Sequence, residues 1–406
     1  MTEVAVTEVA MTGAATAEAP TRLSDEAAVN LLRDLVAIPS VSGNEGSASR
    51  YLVQQMCALG FERARVDEVG NAVGEIGDPQ AQRLLVLLGH IDTVPGDIPV
   101  RIEKIDGRDV LFGRGSVDAK GPLSAFVAAA ARLGSDWARN AGVRVVVAGA
   151  VEEESATSRG ARFLRQYFLG QGGDGEPIPD ACIIGEPSGA ERVTLGYKGR
   201  LLATLEGRRP ARHTAGPDPG IGAIACDLWS FIERRAREHN QGLERAFDQL
   251  QPSIRTLATD ASDGLEERLR AIFSFRLPPG FDAEGWQDLL VGWLESHEEH
   301  QRGSELNLRF AAYEPAWHGS RRTPLVRAFS GAIRSLGPAV RPGFLVKTGT
   351  SDMNVVGPHW RCPILAYGPG DSALDHTPRE HIVVEEYLRA IRVLEEVLPR
   401  WAAAPS

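Results

Sequence analysis

Residues 84–97 read LLVLLGHIDTVPGD, an apolar run that ends on an imidazole and, two positions later, a carboxylate. Residues i and i+2 of an extended chain point to the same side, so His90 and Asp92 can act together. One could coordinate a metal while the other accepts the second imidazole N–H, fixing tautomer and ring orientation. A hydrogen-bonded pair capping a strand is the other reading of these two residues taken alone. The same event recurs at three places. The run at 143–147 enters VEEES, with Glu152, Glu153 and Glu154 in succession; 182–184 enters GEPS, with Glu186; 364–367 enters GPGDSALDHTPRE, with His376 and Glu380. The loop GRGSVDAKG adds Asp118 just ahead of a helical pattern.

Three adjacent carboxylates directly after an apolar β-branched run repel one another unless a cation or a proton intervenes. Two histidines and several carboxylates without a thiolate suit Zn²⁺, Co²⁺ or Mn²⁺ at a catalytic site with open positions, not a closed structural zinc. One carboxylate left off the metal, beside a ligating one, is what a general base toward the attacking water requires. Other polar features carry less. His297-Glu-Glu-His300 ends an exposed-looking helix and lacks the His-Glu-x-x-His spacing. The glycines of GRGSVDAKG match neither a dinucleotide fingerprint nor a P-loop. His318, His359 and His381 have no partner visible in the sequence.

The elements that must position these residues are legible. Ser24 is a candidate N-cap with Asp25 and Glu26 in the first turn, and Leu31, Leu32, Leu35 and Val36 recur at helical spacing. Short apolar runs then alternate with helical patterns such as 123–133 and 161–168. That order predicts an α/β fold with a mostly parallel sheet and helices on both faces. In such sheets ligands bind outside the carboxyl ends of the strands, where the polar residues above fall. Between 199 and 313 the pattern changes to β-α-β-β-α-β, an α+β unit. The expected organisation is an N-terminal tail (1–22), a catalytic domain in two parts (23–198 and 314–402) and an inserted domain (199–313).

Composition excludes some functions. A net charge of −10 argues against a general nucleic-acid or anionic-membrane binder, and no apolar run approaches the length of a bilayer span. The first residues lack a basic start and an apolar block, which predicts a floppy tail and a cytoplasmic protein. The four cysteines, Cys57, Cys182, Cys226 and Cys362, form no Cys-x-x-Cys and are expected reduced, in the core.

The ordered set GHIDTVP, GRGSVDAKG, VEEES, GEPS, an inserted-domain histidine and a late histidine resembles the dinuclear-zinc aminoacylase and carboxypeptidase family, from about residue 23 to 401. The resemblance implies two divalent ions per chain, Zn²⁺ and/or Co²⁺. His90, Asp118 and Glu186 would hold one ion and Asp118, Glu154 and His376 the other. Asp92 would orient His90, and Glu153 would be the general base. It also implies a cis peptide at Asp118–Ala119 and a homodimer made by the inserted domain. His213 would then reach the site of the second copy to stabilise the oxyanion. Arg276 would grip a substrate carboxylate. Glu152, where many relatives have Asp, and the RRPAR insert before His213 depart from the usual pattern.

The late segment VKTGTSDMNVVGPHWRCPILAYGPGDSALDHTPREH is most similar to a branch of that family with a protein-bound substrate. Its members release lysine or ornithine from the acidic amino-group carrier protein LysW. They cut the isopeptide between the amino acid's α-amino group and the γ-carboxyl of the carrier's C-terminal glutamate, in lysine and arginine biosynthesis. A small-molecule deacylase, such as acetylornithine deacetylase or succinyl-diaminopimelate desuccinylase, is the alternative. Residues 198–215 hold Lys198, Arg200, Arg208, Arg209 and Arg212 against the single Glu206. One reading is a solvated strand edge; the other is a docking rim for the acidic carrier.

Overall fold

The computed structural model describes residues 22–169, 176–213, 215–302 and 304–405. Of the expected N-terminal tail, residues 1–21 lie outside the described residues. The first helix, α1 (Asp25–Val36), starts as its sequence predicts: Ser24 accepts from the Ala27 N–H at 3.1 Å, and Asp25 and Glu26 occupy the first turn. The chain continues through α2 (Gly46–Ala58), β1 (Arg63–Val66), β2 (Ala72–Gly77), β3 (Arg83–His90), β4 (Arg101–Ile105) and β5 (Arg108–Phe112). Next come α3 (Lys120–Asn140), β6 (Val143–Ala150), α4 (Arg159–Tyr167), β7 (Ala181–Gly185) and β8 (Arg192–Tyr197). A second unit follows: β9 (Gly199–Pro210), α5 (Gly222–His239), β10 (Gln251–Asp260), β11 (Glu266–Leu277), α6 (Ala283–Ser296), α7 (Glu298–Gln301) and β12 (Glu305–Glu314). The last stretch holds β13 (Trp317–His318), α8 (Pro324–Ser335), β14 (Gly343–Lys347), α9 (Asp352–Trp360), β15 (Ile364–Ala366), β16 (His381–Val383) and α10 (Val384–Ala402).

The large sheet has the order β1-β2-β6-β3-β7-β15-β8-β13, with β14 also paired to β8. Its centre is parallel: β3 pairs with β6 and with β7, and β15 pairs with β7. Antiparallel β2 and β13 lie toward the two sides. Alternation along β3 explains its unbroken apolar run. Leu85 and Leu87 enter one core with α3 and α10, whereas Leu84, Val86 and Leu88 enter another with α4 and α9. Register then matters for function. His90 lies opposite Ala150 and Gly89 opposite Gly185, so β3, β6 and β7 finish level and release their polar residues at one edge.

The second sheet, order β10-β11-β9-β12, is wholly antiparallel. Leu201, Ala203, Leu205, Phe273 and Phe275 form its own core with Leu228 of α5 and Leu290 of α6. Alternate residues, Arg200 and Arg276 among them, point to the face without helices.

Two sequence expectations are corrected. Cys182 is buried, but Cys57 and Cys226 are exposed and Cys362 is partly exposed; all four are free thiols. The basic stretch is not a free docking rim. Lys198 is buried, its Nζ donating to the carbonyls of Ala246 and Gln249. Arg209, only 3% exposed, is ringed by Asp218, Glu267 and Glu299. Arg212 bonds Asp218 and Glu299, and Arg208 pairs with Glu305. Of the positive charges counted along this stretch, Arg208, Arg209 and Arg212 are each met by a carboxylate, and Lys198 is met by backbone carbonyls.

That ion cluster predicts acid sensitivity. Burial works against the Glu299 carboxylate, yet hydrogen bonds from Arg212, Ser304 and Arg209 hold its pKa down from 4.5 to about 2. A pKa lower in the folded than in the unfolded state contributes stability above the unfolded value, lost as pH falls toward the folded one. Glu299→Gln is therefore expected to lower stability at neutral pH and to flatten the acid limb between about 4.5 and about 2. An acid limb identical to wild type, followed by tryptophan fluorescence of this unit, would rule the cluster out as its cause.

Candidate metal centre

His90 ends β3, Glu153 and Glu154 follow β6, Glu186 follows β7, and His376 lies in the loop after β15. Asp118 stands just before α3, and the Asp118–Ala119 peptide is cis. These residues, spread over most of the chain, meet at one point. His90 Nε2 lies 3.3 Å from Asp118 Oδ1, and His376 Nε2 lies 3.0 Å from Asp118 Oδ2 and 2.8 Å from Glu154 Oε1. Two donor groups share Asp118: His90–Asp118–Glu186 and Asp118–Glu154–His376, each with ligand atoms within 4.8 Å of one another. A third combination, His90–Glu153–Glu154, meets the same limit.

Asp92 sits behind the centre, fully buried. One oxygen lies 3.4 Å from His90 Nδ1 and accepts from the Glu153 N–H at 3.1 Å. The other accepts from the Glu154 N–H (3.0 Å) and the Ser42 hydroxyl (2.6 Å). His90 Nδ1 also lies 3.1 Å from the Asp92 backbone carbonyl, so this one residue sets the imidazole, and its carboxylate holds the backbone of the two glutamates. Glu152 turns elsewhere, with φ +60° and its carboxylate accepting from Thr157.

The electrostatics are those of crowded acids. Burial raises Glu186 to about 8, with Asp118 adding to it. Burial, partly offset by His90, lifts Glu153 well above the usual carboxylate range, and Asp352, Glu186 and Glu154 add further. Asp118 is held well below that range: burial opposes its charge, but hydrogen bonds from His376 and His90 prevail. Those bonds, to Asp118 and then Glu154, raise His376 to about 10. Carboxylates this close ionise together only if a cation compensates them. Imidazole nitrogens and carboxylate oxygens without thiolate are also the donor set a catalytic divalent ion takes, so the residues present fit such ions.

The centre lines a pocket of about 540 Å³. Arg276, from β11, lines it too and donates to Thr350 Oγ1 at 3.1 Å. His213 does not: it is exposed beyond β9, its Nδ1 accepting from the Ala215 N–H at 3.2 Å. Sequence reasoning missed other lining groups, namely Arg200, Arg255, Lys347, Asp375 and Tyr197, whose buried hydroxyl has no partner among the described residues. Tyr197, Arg200 and Lys347 lie at strand ends, a position many other residues share, Asp375 stands beside His376, and mid-strand Arg255 carried no signal. Glu380 was visible in the sequence but without a role. Its Oε1 accepts from the Val117 and Asp118 N–H groups at 3.0 and 3.1 Å, and its Oε2 from Arg114 at 2.8 Å.

A mostly parallel sheet whose strand ends carry this donor cluster defines a metallohydrolase class, and comparison agrees. The profile of peptidase family M20/M25/M40 matches residues 86–400, and the chain belongs to that family. It is 43% identical to the [LysW]-lysine hydrolase of Deinococcus radiodurans over 92% of this chain and 97% of the relative. Succinyl-diaminopimelate desuccinylase of Xanthomonas oryzae pv. oryzae is 30% identical over 91% of this chain and 97% of its own. The di-peptidase Dug1p of Saccharomyces cerevisiae shares the fold, with TM-score 0.74, 14% identity, and coverage of 93% of this chain and 96% of that one. Among the described residues, no helix is long and apolar enough to cross a membrane.

Proposed function

We propose that this chain hydrolyses the isopeptide linking the α-amino group of lysine or ornithine to the γ-carboxyl of the C-terminal glutamate of LysW, releasing the free amino acid. The observation that carries this reading is the shared-Asp118 donor cluster with Glu153 beside it, in a chain 43% identical to a [LysW]-lysine hydrolase. His90, Asp118 and Glu186 would hold one divalent ion and Asp118, Glu154 and His376 the other; Zn²⁺ and Co²⁺ suit these donors. When bound, the ions supply Lewis-acid polarisation of the scissile carbonyl and acidify water.

The chain's own groups do the rest. Glu153 takes the proton from the attacking water and hands it to the nitrogen of the leaving amine. Asp92 keeps His90 in one tautomer and orientation. Arg276 holds a substrate carboxylate by a charge-assisted pair. The test is one assay with lysyl-LysW and N-acetylornithine side by side. A kcat/KM at least about 100-fold higher for the carrier substrate is expected. The reverse preference would make the chain a small-molecule deacylase, the reading to which the desuccinylase relative points.

The unit at 199–313 is read as the lid and dimerisation domain. Its edge strand β10 supports this: most of its residues are exposed, Ile254 and Leu257 included. A long exposed edge is a template for pairing with another chain. His213, outside its own chain's pocket, would serve the second copy as a hydrogen-bond donor to the oxyanion. Mixing inactive Glu153→Gln with inactive His213→Ala is then expected to restore activity through heterodimers. No recovery after verified subunit exchange would place His213 outside the reaction.

A further inference from the structure

The pocket has two chemically opposite halves. Asp118, Glu153, Glu154, Glu186, Asp375 and His376 line one; Arg200, Arg255, Arg276 and Lys347 line the other. Lys347 is satisfied in part by the Pro187 carbonyl at 2.6 Å. The three arginines are not matched by carboxylates. Arg200 contacts the Ala312 carbonyl and Arg276 the Thr350 hydroxyl, and among the described residues none of the three is in an ion pair. The contrast with Arg208 and Arg209 on the same sheet, and Arg212 just beyond it, is direct, since each of those meets at least one carboxylate.

Placement makes the cluster more than chance. Arg200 and Arg276 are register partners on β9 and β11 and share the helix-free face. Like charges directly opposite in a sheet repel. The cross-strand neighbour on the other side of Arg200, Glu314, is already bound by Arg162. Arg255 falls where the β10–β11 register shifts between Ile254 and Thr256, and such irregularities re-aim a side chain. Three strands thus turn guanidinium groups with no ionic partner toward one cavity.

We propose that Arg200 and Arg255 join Arg276 to form a site for two carboxylates, selecting isopeptides that carry one on each side of the scissile C–N bond. This rests on the substrate class proposed above. Lysine joined through its α-amino group keeps its α-carboxylate, and a glutamate joined through its γ-carboxyl keeps its own. A fork of N–H donors commonly binds one carboxylate, so Arg276 by itself serves only one of the two. An acetyl-type substrate has nothing to place on the additional arginines.

The test compares metal-loaded wild type, Arg255→Gln and the double variant Arg200→Gln/Arg255→Gln. The substrates are Nα-γ-glutamyl-lysine, Nα-butanoyl-lysine (no acyl-side carboxylate) and γ-glutamyl-cadaverine (no leaving-side carboxylate). For the first, kcat/KM is expected to fall about 10- to 100-fold, mainly through KM. The analogue without the carboxylate that these arginines hold should show no comparable fall, and which analogue that is identifies the side. Equal falls on all three substrates would overturn the proposal. Calorimetric binding of glutarate against butanoate to the same proteins reads the site without turnover, so it stands even if LysW is not the carrier. A preference for glutarate that shrinks in the variants supports the site; an unchanged preference refutes it. Arg255 is exposed and makes no hydrogen bond among the described residues, so its single variant remains informative if the double variant fails to fold.

Discussion

Replacing Glu153 by Gln is expected to lower kcat by about 10²- to 10⁴-fold while metal content and fold stay those of the wild type. The reason is positional. Glu153 is next to Glu154, but the two proposed ion sites are complete without it: His90, Asp118 and Glu186 for one, Asp118, Glu154 and His376 for the other. Its backbone is held by Asp92 at 3.1 Å, independently of its side chain, so an amide at this position leaves the turn intact. Gln is isosteric yet cannot accept and return a proton. Metal analysis, circular dichroism and steady-state kinetics on one preparation decide the matter. A variant that kept more than a few per cent of wild-type kcat with full metal would remove Glu153 from the role of base, and loss of metal would make it a ligand.

Truncating Glu380 to Ala is expected to destabilise the chain by about 3–5 kcal/mol and to weaken metal retention with it. This carboxylate is 1% exposed and lies far along the chain from the loop it secures. Its loss leaves the Arg114 guanidinium without its ionic partner and two buried backbone N–H groups, of Val117 and Asp118, without an acceptor. Such a truncation costs more than the pair itself contributed, because the remaining groups stay out of water unpaired. Since one of those N–H groups belongs to Asp118, the shared carboxylate loses its anchorage as well. Glu380→Gln, which keeps an acceptor but no charge, should fall between wild type and Ala in both readouts. Denaturant midpoints and metal titration would check this; a shift under about 1 kcal/mol for Ala would mean that solvent replaces the clamp.

Legibility followed the range of the interactions. His90, Glu153, Glu154, Glu186 and His376 could be found because an apolar run with β-branched residues marks a buried strand, and a strand's end is a local property. Asp118 came with its loop. The sign of the basic stretch was readable in the same way, but its meaning was not. Counting charges from 198 to 215 left a solvated edge and a docking rim both open, whereas the folded chain gives Arg209 three carboxylates from Asp218, Glu267 and Glu299. The arginines that line the pocket without a carboxylate among the described residues proved to be Arg200, Arg255 and Arg276; the sequence had set Arg276 on a substrate carboxylate, counted Arg200 into the rim, and suggested nothing for Arg255.

By itself the sequence determined the α/β class, the four strand ends that carry chemistry, the absence of thiolate donors and the residue types suited to a divalent ion. All of these depend on side-chain identity and on periods of two or of 3.6 residues, which neighbouring positions carry. Tertiary structure decided which charges neutralise one another and which are left to face a ligand. Strand register brings Arg200 opposite Arg276, and α7 brings Glu299 onto Arg209. Pairings of this kind rest on contacts between residues dozens of positions apart. Coulombic attraction acts over a few ångströms of space, whatever the separation along the chain.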